Sequence, residues 1–181
     1  MTRALLIVDI QRDYFPGGAF PLVDPDAAAK VAHTVLESFR AEAEPVVHIR
    51  HVSTDEGATF FLPGSAGAEI HELVAPAPGE TVLEKHKPNS FIGTGLQQHL
   101  SDAGIDELVI MGMMSSMCVD STTRAASELG YTVTVVHNAC AAPDLTFGES
   151  VVSGRTVHAS FMAALDGSFA TVVSAAELLA P

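Results

Sequence analysis

Six short apolar runs constrain this chain more than any other feature: Ala4 to Ile10, Pro45 to Arg50, Thr81 to Lys85, Glu107 to Gly112, Tyr131 to Val136 and Ala170 to Val173. Most lack the apolar–polar alternation of a half-exposed strand, so they predict strands covered on both faces, as in a parallel sheet wrapped by helices. Helical patterns separate them. Asp24-Pro25-Asp26 supplies an N-cap, a proline at the first helical position and an acid that suits the helix dipole; Val31, Val35 and Phe39 then share one face, giving a helix over about 25–43. Thr94 can cap a second helix that carries Leu96 and Leu100 and stops at Gly104, a third runs from Cys118 to Leu129, and Val157, Phe161 and Leu165 stripe a fourth. Strands alternating with helices define a doubly wound, three-layer α/β/α fold with a mostly parallel six-stranded sheet. Ligands bind such a sheet outside the carboxyl ends of its strands.

The chain has 181 residues, which fits one domain over 1–181. Its 48% apolar and 17% charged residues favour a packed core over disorder. A net charge of −13 repels nucleic acid. No apolar stretch is long enough to cross a bilayer, and Ala4 to Val8 meets Asp9 too soon for a signal peptide, so a cytoplasmic protein away from membranes is expected. Neither a Gly-x-Gly-x-x-Gly fingerprint nor a P-loop follows any strand, which gives no reason to invoke a nucleotide cofactor.

Three chemically able residues end strands on the ligand side: Asp9, Lys85 and, just past the fourth run, Cys118. Each has a plain alternative. Asp9 can cap its own turn, Lys85 can be a solvated lysine beside Lys87, and Cys118 can be a small core residue in line with Thr122, Ala125 and Leu129. Together they can make a nucleophile, its base and a charge stabiliser. An aspartate is a poor base for an ordinary thiol; burial must raise the acid while Lys85 and a helix N-terminus lower Cys118. Cys140 lacks such a setting and is expected to pack. Two cysteines with no Cys-x-x-Cys pair signal neither a disulfide framework nor a zinc cluster. His48 and His51, three apart on a strand, point to opposite faces and do not suggest a shared metal. The irregular stretch from Ser53 to about Ala68, with Phe60 and Phe61, reads as a lid or as a packed surface loop.

The blocks LLIVDIQRDYF (5–15), VLEKHKPNSFIGTGL (82–96), GMMSSMCVDSTTRAASELGYTVTVVHNACAA (112–142) and VHASFMAAL (157–165) resemble the isochorismatase-like cysteine hydrolases. The resemblance implies Asp9 as general base, Lys85 as triad lysine and Cys118 as nucleophile. It also places a cis peptide at Met114-Ser115, where the turn around Met114, Ser115 and Cys118 would form an oxyanion hole. It implies a homo-oligomer acting on a small molecule without a cofactor, and a cysteine points to C–N hydrolysis of an amide, lactam or carbamoyl group. Relatives of this kind act on nicotinamide, carbamoyl amines, ureido compounds, maleamate and antibiotic lactams. A vinyl-ether hydrolase and a non-hydrolytic thiol sensor are the alternatives. Gln11, Phe15, His51, Phe61 and Phe91 are the expected substrate contacts.

Overall fold

The computed structural model describes residues 2–180. Its strands are β1 (Arg3–Val8), β2 (Val46–His51), β3 (Thr81–Lys85), β4 (Glu107–Met113), β5 (Thr132–Ala141), β6 (Leu145–Phe147), β7 (Ser150–Val152) and β8 (Thr171–Val173); its helices are α1 (Pro25–Ala41), α2 (Leu96–Asp102), α3 (Asp120–Glu128), α4 (Gly154–Leu165) and α5 (Ala175–Leu178). The six apolar runs form one sheet in the order β3-β2-β1-β4-β5-β8, every neighbouring pair parallel. The sequence reading missed the separate β6–β7 hairpin, whose three-residue strands are too short to show a pattern.

Pleating sorts the central strands between two cores. Leu5 and Ile7 of β1 join Val109 and Met111 of β4 against α1, where Ala28, Ala32, Val35 and Phe39 are buried. Ala4, Leu6 and Val8 join Leu108 and Ile110 on the other face, against Leu100 of α2, Ala126 of α3 and Leu165 of α4. A strand needed on both faces has no room for polar alternation, which is why these runs read as continuous.

Some local expectations gave way. Asp24 does not cap α1: it sits at φ +53° with no side-chain cap bond, and its carboxylate meets Arg155 at 2.7 Å. Pro25 at the first position has no N–H to cap, which lowers the demand for one. The helix expected from Cys118 begins instead at Asp120, because Ser115–Val119 form a π-helical turn in front of α3. The cis peptide joins Met113 to Met114, one bond before the expected Met114-Ser115. Pairing of β4 with β5 extends to Met113 opposite Ala141, so this is the first peptide beyond the ladder, and Ser115 already belongs to the turn.

The chain lays down β1, β2 and β3 toward one edge, then crosses back to place β4, β5 and β8 on the other side of β1. Strand order therefore reverses between β1 and β4. Connections leave that pair in opposite directions, and a crevice opens at their carboxyl ends. Gly112 lets the two strands approach there: at φ +142°, a Cβ on it would overlap the Val8 carbonyl oxygen.

Candidate active site

Asp9 follows β1 directly, Cys118 lies in the turn after β4, and Lys85 ends β3 two strands away. Neighbouring strands are about 4.8 Å apart, so Lys85 must reach across the end of β2 to meet Asp9. Its flexible four-carbon stem does so. Lys85 Nζ lies 2.7 Å from Asp9 Oδ2, and both side chains are fully buried. The same ammonium donates to Cys118 Sγ at 3.3 Å, to His51 Nδ1 at 2.9 Å and to the Lys87 carbonyl at 3.0 Å. The contact with Asp9 is the shortest but is an ion pair of poor hydrogen-bond alignment, and neither Asp9 oxygen has a well-aligned protein donor. Asp9 also stands at φ +50°, left-handed backbone that few non-glycine residues adopt and that concentrates at functional sites.

Burial pushes the Cys118 thiol well above its ordinary value; Asp9 adds to that push and Lys85 opposes it. The helix-terminus argument therefore loses to desolvation: Cys118 is 4% exposed and sits inside the turn that leads into α3. Burial acts to lower the Lys85 ammonium, but the Asp9 carboxylate leads the opposing influences and the net shift is upward. His51 is lowered by burial and then by Lys85, and stays a neutral acceptor. A ligand atom each from Asp9, His51 and Cys118 lie within 4.8 Å of one another, which resembles a metal cluster. All three residues, however, contact the Lys85 ammonium, so a cation already occupies the centre of the set.

The Ser115–Val119 turn is braced from behind. Ser115 Oγ donates to the Ala141 carbonyl at 3.1 Å and meets His158 Nδ1 at 2.8 Å, so its hydroxyl faces β5 and α4. The Met117 and Val119 amides bond to the Met114 carbonyl. Nothing in the sequence marked His158 as a partner of Ser115, because 43 residues separate them.

The expected substrate contacts divide. His51 is beside the triad. Gln11 is buried and acts as a clamp: its Oε1 accepts from the His51 amide at 2.7 Å, while Nε2 donates to the carbonyls of His51 and Ala68, each at 2.8 Å. Phe61 is buried with its ring 5.8 Å from that of His51. Phe15 stacks on His71 at 3.9 Å, on the wall of a cavity of about 530 Å³ that does not include the triad. Phe91 stacks on Tyr131, with ring centroids 6.0 Å apart. Cys140 is buried, donates to the Val136 carbonyl, and is pushed by burial to about 12.

Asp13 is a residue the sequence reading did not single out. Its Oδ2 accepts from the Phe61 amide at 2.6 Å and its Oδ1 from the Ala19 amide at 3.0 Å, while Gly67 presses against its carboxylate with no space for a Cβ. Asp13 and Gln11 thus tie the 53–68 segment, at Phe61 and Ala68, to the residues that follow β1. Tyr14, edge-on to Phe61 at 4.7 Å, completes that wall.

A buried acid, lysine and cysteine thus converge at the switch point of a parallel α/β sheet. The chain belongs to the isochorismatase family, whose domain matches residues 3–177. It is 48% identical over 172 residues to the uncharacterized isochorismatase family protein YddQ of Bacillus subtilis, covering 95% of this chain and 96% of that one. The crystal structure of an isochorismatase-family protein from Oleispira antarctica superposes with a TM-score of 0.95 at 51% identity, covering 99% of this chain and 97% of that one. A ureidoacrylate amidohydrolase, RutB of Caulobacter segnis, is 30% identical over 171 residues, covering 76% of this chain and 72% of that one. No helix among the described residues is long and apolar enough to cross a membrane.

Proposed function

We propose that the protein hydrolyses a C–N bond of a small amide, lactam or carbamoyl compound through a Cys118 thioester. The observation that carries this reading is the buried Lys85 ammonium in contact with both the Asp9 carboxylate and the Cys118 sulfur. The similarity to a ureidoacrylate amidohydrolase supports the bond type.

Cys118 attacks as its proton passes to Asp9, whose oxygens are buried and have no well-aligned donor to give up. The C–S bond forms, and the carbonyl electrons move onto oxygen, where backbone N–H groups of the 114–118 turn receive them. Lys85 keeps its positive charge and compensates the sulfur while Asp9 is neutral. Collapse re-forms the carbonyl and breaks the C–N bond, with Asp9 returning its proton to the departing amine. Water then attacks the thioester as Asp9 takes one of its protons, and that proton returns to sulfur when the C–S bond breaks. The raised thiol suits this cycle: Cys118 stays protonated until a carbonyl is in place. A thiol-based peroxide sensor needs the opposite, a thiolate at rest.

A panel of carbamoyl amines, ureido acids, small lactams and primary amides, assayed for ammonia or amine release, tests the reading. Wild-type protein should turn over at least one member, and Cys118→Ala should lose that turnover by about 10⁴-fold or more. Retention of wild-type turnover by Cys118→Ala would overturn the mechanism.

A further inference from the structure

The surroundings of Lys85 hold one more acceptor than the lysine has protons. An ammonium donates three hydrogen bonds. Four acceptors lie within reach: Asp9 Oδ2 at 2.7 Å, His51 Nδ1 at 2.9 Å, the Lys87 carbonyl at 3.0 Å and Cys118 Sγ at 3.3 Å. His51 and Lys87 take two protons in good geometry. Neither takes part in bond making. His51 is itself fixed at both ends of its peptide by Gln11, which accepts from its N–H and donates to its carbonyl. It stands opposite Lys85 in the β2–β3 register, where the lysine stem passes on its way to Asp9. Because Lys85 can only donate, Nδ1 of His51 must be the acceptor, which assigns the ring proton to Nε2.

We infer that His51 is a positioning residue that holds one Lys85 proton aside, so that a single proton remains to be exchanged between Asp9 and Cys118. This rests on the reading that Asp9, Lys85 and Cys118 react together. While Asp9 is a carboxylate it competes with sulfur for that proton. Once Asp9 has taken the thiol proton it no longer competes, and the Lys85 proton goes to the thiolate. Ionisation of sulfur is thereby tied to protonation of Asp9. Without the imidazole acceptor, Lys85 has a proton for Asp9 and another for Cys118 together. The thiolate then becomes easier to form at rest, while Asp9 gains a hydrogen bond it otherwise lacks and is a weaker base.

The test needs no substrate. The apparent ionisation midpoint of Cys118 is taken from its iodoacetamide alkylation rate at about pH 8, where a one-unit change in midpoint is a tenfold change in rate, read by peptide mass spectrometry with Cys140 reporting any general loosening. The variants are His51→Leu, which removes the acceptor, and His51→Asn, whose amide oxygen restores one near the Nδ1 position, each also made with Lys85→Met. The other charged groups around His51 are Asp9, His86 and Asp55, and all are unchanged in every variant. His51→Leu should lower the Cys118 midpoint by about one pH unit, the size of one hydrogen bond to a charged group. His51→Asn should stay near wild type, Cys140 should not change, and the His51→Leu shift should vanish beside Lys85→Met. Equal midpoints for Leu and Asn, or a shift that persists without Lys85, would overturn the inference. If Lys85→Met alone leaves the midpoint unmoved, the triad reading fails and this inference with it. If Lys85→Met moves the midpoint and His51→Leu does not, only the role of His51 is lost.

Discussion

Removing the lysine ammonium from beneath Asp9 should cost more stability than removing both charges. Asp9 and Lys85 are each fully buried and 2.7 Å apart. Lys85→Met leaves the carboxylate in a low-dielectric site with no counter-charge, and breaking a buried pair in this way costs about 3–5 kcal/mol. For a chain of 181 residues that corresponds to a fall in Tm on the order of 10 °C. Asp9→Asn leaves the ammonium uncompensated except by neutral acceptors and should cost a similar amount. Asp9→Asn/Lys85→Met removes both buried charges and keeps roughly the same volume, so it should be more stable than either single variant. The assay is urea unfolding followed by circular dichroism, with the coupling energy taken from the double-mutant cycle. A double variant whose loss equals the sum of the single losses would show that the two charges do not compensate each other, and the electrostatic account of the site would fall.

Further consequences can be checked independently. Gly112→Ala places a methyl against the Val8 backbone beside Asp9, so it should destabilise the fold by about 1–3 kcal/mol and lower turnover, read by urea unfolding and the same hydrolysis assay. Asp13→Ala removes the acceptor for the Phe61 and Ala19 amides, and hydrogen exchange should rise across 58–68 while the sheet stays protected. Glu80 is held down to about 2, chiefly by its hydrogen bonds to Arg40, against a reference near 4.5. A depressed carboxylate contributes stability above its unfolded value and loses it as pH falls toward the folded one. Glu80→Gln should therefore be about 2 kcal/mol less stable than wild type at pH 7, and the gap should close between about 4.5 and 2.

How far the sequence revealed this molecule depended on the range of each interaction. The six strands were legible because burial on both faces is written into consecutive residues, and the reversal of order after β3 then placed Asp9 and Cys118 at one crevice. The three site residues were legible as strand endings, but their electrostatics were not. Local reasoning put Cys118 at a helix N-terminus, whereas the fold places it in a π-helical turn where desolvation prevails. Asp24 looked like a cap and instead pairs with Arg155, 131 residues on. Gln11 was expected as a substrate contact and Asp13 carried no expectation; both bond to a segment about 50 residues away, pairings that no local pattern encodes.

The central claim is that Cys118 forms a thioester with the acyl half of the substrate. Its most direct test is acid quenching of the protein during turnover of whichever panel compound releases amine, followed by mass analysis of the Cys118 peptide. The account predicts an added mass equal to the acyl fragment on Cys118, removable by hydroxylamine and absent in Cys118→Ala. Full turnover with an unmodified Cys118 peptide, together with undiminished activity in Cys118→Ala, would contradict it.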